Sequence, residues 1–337
     1  MKEIFKNKDS FDGSFLFPEG DFEERTGRRQ YLKKSLNFLK EKNLYDHERD
    51  CIRQEFSEYR HCPVCDERKK DVVFIKEGFK HVKCKRCQFF YVDPILNNVA
   101  MNQFYKEEDQ WTKVMLNKQE QEINERMYTY TLRVINRFDD KICNILDVGA
   151  GTGLFVEVAN NSGFNAVGID PNVTLVERAE RKGINLFNMT LNELKRSERR
   201  FDLVTSWFVL EHVPAPKIFI GEMKDLLEDK GGLLFLAVPN IDCLAHRFFQ
   251  VESSTFGGYS HINFFNIDSL NKLASDNGLI LLHAETYITQ LANIRKYFSK
   301  LGLTPTSGLN RFIDDLTSKY IHDNLLGSFL CCLYRKN

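Results

Sequence analysis

Residues 145–153 read Ile-Leu-Asp-Val-Gly-Ala-Gly-Thr-Gly, and this stretch limits the fold of the chain more than any other. The apolar run ending at Asp147 predicts a strand. The alternate glycines Gly149, Gly151 and Gly153 predict a tight loop whose backbone can approach a ligand closely. Leu154 then opens a helical stretch. Strand, glycine loop and helix in that order belong to parallel α/β sheets. The chain downstream agrees. From Cys143 the apolar strands ICNILDVG, NAVGID, INLFN, FDLVTSW, GGLLFLAVP, LILLHAETY and SFLCCLYR recur, with the helical stretches FVEVANN, LVERAERK, PKIFIGEMKDLLED and DSLNKLASDN between most of them. The expected fold class is α/β, a seven-stranded doubly wound sheet over residues 143–337.

A glycine loop by itself also serves dinucleotides, whose pattern wants a third glycine at position 154, where this chain has Leu154. Asp147, just ahead of the glycines, repels a pyrophosphate and suits a ligand carrying amino or sulfonium groups. The next strand ends at Asp170, 17 residues after Gly153. A carboxylate there can accept the hydroxyls of a ribose. The plainer alternative is that it caps the helix that Pro171 introduces.

On these residues the chain resembles the class I S-adenosylmethionine-dependent methyltransferases. ILDVGAGTG matches their first motif and GID-P the second. FDLVTSWFVLEHVPAP, residues 201–216, matches the fourth-strand motif, and LLFLAVPN, residues 233–240, the fifth strand. The resemblance covers roughly residues 143–337. It implies a Rossmann-like sheet with an antiparallel last strand, S-adenosylmethionine as cofactor, and methyl transfer as the reaction. Carried over by position, Asp147, Gly149, Ala150, Gly151 and Gly153 line the methionine part of the cofactor and Asp170 holds the ribose. Met189 and Thr190 fall where the family packs the adenine. Trp207 sits beside the cofactor or, on the plainer reading, only in the core.

LEHVPAP places Glu211 and His212 just past a strand's carboxyl end, where open α/β sheets put their ligands. A sugar hydroxyl attacks only when its proton is removed, and histidine titrates near neutrality. The segment resembles the ubiquinone-pathway O-methyltransferases, some of which hold a divalent metal with Glu-x-x-Glu-His. Phe208 stands at the first Glu position, so Glu211 and His212 are assigned to acid–base chemistry. His261, in GGYSHINFFN, is the second candidate base, and similar His-x-x-Phe-Phe segments follow the fifth strand in many glycan-pathway relatives. For either histidine the alternative is packing. Residues 289–327 form an insert between the sixth and seventh strands. Its apolar spacing predicts two helices that, with helices around Trp111 and Arg126, cover the acceptor.

The N-terminal half has a different character. Cys62-Pro-Val-Cys65 and Cys84-Lys-Arg-Cys87 are two knuckles 18 residues apart, the spacing of a four-thiolate zinc site. Four cysteine ligands close the shell, so this zinc is expected to be structural. The stretches VVFI, HVKC and FFYV make the module, residues 61–95, β-leaning. Apolar spacing at Leu32, Leu36, Leu39, Ile52, Phe56 and Tyr59 predicts a helical extension over residues 1–60, and residues 96–142 read as linking helices. An N-terminal zinc knuckle before this domain is similar to a group of bacterial glycan and deoxysugar methyltransferases.

The 47 Lys+Arg balance the 47 Asp+Glu, which argues against a global attraction to nucleic acid or anionic membrane. No apolar run approaches the roughly 18–20 residues that span a bilayer. The opening MKEIFKNKDSFDG lacks the apolar core of a secretion signal, so the expected compartment is the cytoplasm. The expected partner is a small-molecule acceptor: a nucleotide-linked sugar or another glycan or secondary-metabolite precursor, methylated on oxygen or carbon. The rival reading is an RNA methyltransferase whose zinc module grips nucleic acid. Residues 61–91 hold eight Lys/Arg against four Asp/Glu, a weak footprint for it.

Overall fold

The computed structural model describes Asn37 and residues 40–46, 48–49, 51–101, 115–302 and 317–337. The cysteine module is an antiparallel sheet of β1 (Lys70–Lys76), β2 (Phe79–Cys84) and β3 (Phe90–Val92). Glu77 and Gly78, at φ 53° and 80°, turn β1 into β2, the positive-φ pair that two-residue hairpins need.

The second half follows the expected alternation. Its elements are α1 (Lys118–Asn136), β4 (Asn144–Val148), α2 (Leu154–Asn161), β5 (Asn165–Ile169), α3 (Val173–Glu180), β6 (Leu186–Phe187), α4 (Leu191–Lys195), β7 (Leu203–Trp207) and α5 (Pro216–Asp225). They continue with β8 (Leu233–Pro239), α6 (Leu244–Phe249), β9 (Asn263–Phe264), α7 (Ile267–Asp276), β10 (Leu279–Tyr287), α8 (Leu291–Lys300), α9 (Ser318–Asp323) and β11 (Phe329–Lys336). The seven-stranded sheet runs β6-β5-β4-β7-β8-β11-β10. Strands β4 to β8 are parallel, and β11 lies antiparallel between β8 and β10. This is the Rossmann-like order with an antiparallel last strand.

Both faces of the sheet are covered, which makes its central strands almost wholly apolar. One face packs Ile123, Met127 and Ile135 of α1, Phe155 and Val156 of α2, and Val176 of α3. The other packs Leu191 of α4, Met223 of α5 and Leu273 of α7. That second core also contains Cys62, Val82, Cys84, Phe89 and Tyr91, so the cysteine module is buried against the catalytic half and not strung ahead of it. Strand order reverses between β4 and β7, which opens a crevice at their carboxyl ends.

The helical reading of residues 30–59 needs correction where it can be compared. Ile52 lies in a two-residue strand, Cys51–Ile52, paired antiparallel with Tyr45–Asp46. Phe56 ends a single 3-10 turn, and Ser57–Glu58 pairs with Ile95–Leu96. Tyr59 is 69% exposed. The spacing was helical by accident: Leu44, Ile52, Ile95 and Leu96 bury one another with Phe79, and that tertiary cluster outweighs local periodicity. Leu32, Leu36, Leu39 and Trp111 lie outside the described residues. Of the insert, α8 and α9 are described and residues 303–316 are not. Leu291, Ile294, Phe298 and Ile321 pack with Leu244 and Ala245 of α6. Arg126 is on the exposed side of α1.

Candidate active site

The glycine loop bridges β4 and α2 with three left-handed residues: Gly149, Gly151 and Gly153 at φ 75°, 56° and 77°. An L side chain is strained there. A Cβ on Gly149 would lie 2.4 Å from Val209 Cγ2, and one on Gly153 2.8 Å from Ile184 Cγ2. A Cβ on Gly151 would meet only the flexible end of Met115, at 2.3 Å. Met115, just ahead of α1, therefore closes over the loop, a contact with no motif to announce it.

Two carboxyl groups face this loop. Asp147, next to last in β4, is 2% exposed and accepts from Thr205 Oγ1 at 2.7 Å. Burial raises it to about 7, and nearby Asp170 adds to the rise. Asp170, just past β5, accepts from Gly151 N at 2.9 Å and from Asn172 N at 2.8 Å. Burial raises its carboxyl as well. It does not cap the next helix, because Asn172 does so by accepting from Leu175 N. Met189 is half-buried against the core. Thr190 is exposed and caps α4 in a reciprocal box with Glu193. Trp207 is 6% exposed at the end of β7, in contact with Tyr128 and Phe155. Its indole N–H is buried without an acceptor among the described residues.

Beyond β7 the chain enters a single turn, Leu210–His212, that carries Glu211 and His212. His261 reaches the same place from 49 residues further along the chain. One carboxylate oxygen and one ring nitrogen from each histidine all lie within 4.8 Å of one another. The His212 and His261 rings meet edge to face at 4.9 Å between centroids. His212 Nδ1 donates to the Ser260 carbonyl at 2.9 Å. That bond assigns the proton to Nδ1 and leaves Nε2, 3.8 Å from Glu211 Oε1, as the basic nitrogen. Burial lowers His212 below the ordinary histidine range, against the pull of the Ser260 carbonyl, so its neutral form prevails near pH 7. Glu211 is 1% exposed. Phe208, at φ 56°, packs its ring on Phe329 at 4.6 Å and adds no ligand.

The four cysteines converge as their spacing implies. Their sulfur atoms all lie within 4.8 Å of one another, with Cys62–Cys87 and Cys65–Cys84 each at 3.5 Å. A tetrahedral zinc with bonds of about 2.3 Å sets its sulfur atoms roughly 3.8 Å apart, so the set fits the ion. Asp66 and Gln88, each following the second cysteine of a knuckle, take matching left-handed φ values of 60° and 62°. Burial pushes the Cys62 thiol up, and Cys87 to about 11. A bound divalent cation reverses that preference for the neutral thiol.

A family model described as a methyltransferase domain matches residues 98–284. The ubiquinone biosynthesis O-methyltransferase of Coxiella burnetii (strain Dugway 5J108-111) is 28% identical over 151 residues, 41% of this chain and 64% of that protein. The uncharacterized protein Rv2003c of Mycobacterium tuberculosis (strain ATCC 25618 / H37Rv) is 25% identical over 152 residues, 45% of this chain and 52% of that one. The chain thus spans less than two thirds of the length of either relative. Among solved structures, the plantazolicin methyltransferase BpumL in complex with SAH is 12% identical, with 71% of this chain and 94% of that one covered at a TM-score of 0.49. Magnesium protoporphyrin IX methyltransferase (ChlM) from Synechocystis PCC 6803 is 13% identical, with 72% and 100% covered at 0.49. With more than half of its length matched by that model, the chain belongs to the methyltransferase-domain family.

Proposed function

We infer that this protein transfers a methyl group from S-adenosylmethionine to a small-molecule acceptor, a nucleotide-linked sugar or another glycan or secondary-metabolite precursor. The observation that carries the reading is the convergence of Glu211, His212 and His261 at the carboxyl end of the sheet that bears the glycine loop. The loop's residues fit the cofactor. Gly149, Ala150, Gly151 and Gly153 keep bulky side chains off the loop, whose cover at Gly151 is the flexible end of Met115; Asp147 offers a counter-charge to an ammonium group, and Asp170 keeps lone pairs for ribose hydroxyls. The Trp207 N–H, unpartnered among the described residues, adds a donor beside the loop. Met189 and Thr190 border the adenine end. When bound, the cofactor supplies an electrophilic methyl group on a positively charged sulfur.

The chain's own part is to orient the acceptor and take its proton. His212 is held with Nε2 unprotonated and Glu211 behind it, so a proton accepted by the imidazole pair is stabilised by the buried carboxylate. His261, half-buried like His212, is the second imidazole of that pair. Cys62, Cys65, Cys84 and Cys87 would hold a zinc ion with a closed set of four thiolates, and its role would be structural. The reading assigns the chain to a reducing compartment, the cytoplasm.

His212→Ala and His261→Ala should each lower turnover by about 100-fold or more while leaving the affinity for S-adenosylhomocysteine unchanged. The assay is a screen with labelled cofactor against nucleotide sugars, quinone precursors and total RNA. Full turnover in both variants would remove the acid–base reading. Labelling of RNA alone would favour the nucleic-acid rival.

Cofactor affinity should depend on Asp147. In the free protein this carboxyl titrates near 7, and the cofactor's ammonium favours its ionised form. Affinity is therefore full above that pH and falls as pH drops through it, by up to about tenfold per unit. Asp147→Asn should bind weakly and flatten the profile. Calorimetry with S-adenosylhomocysteine between pH 6 and 8.5 checks this, and a slope kept by the Asn variant would assign the proton elsewhere.

A further inference from the structure

The two segments that carry the proposed bases come from distant parts of the chain, and both are fastened to the cysteine module. The link is Arg60, two residues before Cys62. Its backbone belongs to the module: its N–H donates to Asp93 Oδ1 at 2.8 Å, and its carbonyl accepts from Lys70 Nζ at 3.0 Å. Lys70 is itself ion-paired with Asp93. The guanidinium lies 5.3 Å from the centre of the Tyr91 ring and spreads over carbonyl groups of three segments. Nε donates to Val92 O at 3.0 Å, Nη1 to Pro214 O at 3.3 Å, and Nη2 to Ile262 O. Val92 lies in β3 of the module. Pro214 follows His212 by two residues, and Ile262 follows His261 directly.

The module's sheet makes the same connection through the backbone. β9, which begins two residues after His261, is the edge strand of that sheet, with Asn263 opposite Tyr91 and Phe264 opposite Phe90. Val92 N also donates to Ile262 O at 2.9 Å. The base-bearing segments are laced to each other at this edge. Ile262 N donates to Glu211 O at 2.9 Å, and Asn263 Nδ2 to Leu210 O and Val213 O at 3.2 and 2.7 Å. The path from the cysteines to β3 is short, since Cys84 N donates to Phe89 O at 2.9 Å.

We propose that the four-cysteine module is the positioning element of the active site, and that Arg60 is the positioning residue through which it holds the Glu211–His212 turn and the His261 segment together. Buried carbonyl groups need donors, and among the described residues the Arg60 guanidinium is the one side chain that reaches a carbonyl on the module, on the first segment and on the second. Its planar fork suits three acceptors in different directions, where a lysine ammonium is a single point. Metal held by the cysteines keeps β2 and β3 in place. β3 keeps β9 and Arg60 in place, and these set the His212–Ser260 bond and the contact between the two imidazoles. The inference rests on the reading of His212 and His261 as the proton-accepting pair.

The test uses the full zinc-loaded chain and needs no acceptor. Arg60→Met and Arg60→Lys are compared with wild type for metal content, S-adenosylhomocysteine affinity, amide hydrogen exchange, and imidazole nitrogen resonances of histidine-labelled protein. Arg60→Met should keep its metal and bind S-adenosylhomocysteine within about threefold of wild type. Exchange over residues 209–215 and 258–264 should rise by about tenfold or more, with β4 and β5 unchanged. The His212 resonances should lose their single Nδ1-protonated form. Arg60→Lys should restore part of both signals, which loss of packing alone does not predict. If Arg60→Met does not fold, chelator titration of the wild-type chain takes its place: exchange over 258–264 should rise in step with metal loss. Wild-type exchange and imidazole spectra in a folded, metal-loaded Arg60→Met, or protected 258–264 segments after metal removal, would overturn the proposal. Failure of the catalytic reading shows separately, as full turnover in the His212→Ala and His261→Ala variants.

Discussion

Gly151→Val should remove most cofactor binding, raising the dissociation constant for S-adenosylhomocysteine by about 100-fold, or roughly 2.7 kcal/mol, or more. Gly151 sits at φ 56°, a region that β-branched residues scarcely enter. Forcing one there costs on the order of 1–3 kcal/mol or moves the loop. A moved loop also loses the bond from Gly151 N to Asp170 Oδ2, and with it the register between the glycine cradle and the carboxylate assigned to the ribose. The new side chain would stand on the face that Met115 now covers, where the ligand's backbone contacts are expected. Gly163 provides the control. It too has a positive φ, 93°, but a Cβ there meets nothing within 4 Å. Gly163→Val should lower the melting temperature and leave cofactor affinity at its wild-type value. Calorimetry on both variants decides the matter, and wild-type affinity in Gly151→Val would displace the site from this loop.

Cys84→Ser should lower bound zinc from about one equivalent per chain to near none and depress the melting temperature by about 10 °C, since site formation and folding are one process. Cys84 is fully buried and packs in the same core as Phe89, Tyr91 and the strands of the main sheet. A serine there exchanges a thiolate for a hydroxyl that stays protonated at neutral pH and finds no water. Because the module shares that core, the loss should spread to α5 and α7 and not stop at residue 95. Metal analysis of protein purified without added zinc, together with a melting curve, checks both parts. A full equivalent of zinc in the variant would contradict the ligand assignment.

Much of the candidate site was legible because its signals are local. The positive φ values of Gly149, Gly151 and Gly153 follow from the residue type that enters that region most readily, and the knuckles Cys62–Cys65 and Cys84–Cys87 follow from ligand spacing. Asp147 and Asp170 stand beside that loop because one lies next to last in its strand and the other just past its own. The Thr190 side chain caps α4, a role that position in the motif did not announce. The helix read at Ile52, Phe56 and Tyr59 failed because its partners, Ile95 and Leu96 among them, lie far off in sequence. Strands two residues long have no periodicity to detect, and what holds them is the pairing partner, Tyr45–Asp46 or Ile95–Leu96.

The sequence by itself determined the seven strands of the main sheet and the helices α2, α3, α5 and α7 between them, the three-glycine loop and the four-cysteine set. Each of these depends on residue type and spacing within about thirty residues, where sterics and ligand geometry act without help from the rest of the chain. The tertiary structure alone decided that Glu211 and His212 meet His261, that Met115 covers Gly151, and that β9 completes the module's sheet. It also decided that Arg60 reaches Pro214 and Ile262, 154 and 202 residues away. Those contacts exist because two cores fused into one burial surface, and burial is a property of the whole chain that no short pattern encodes.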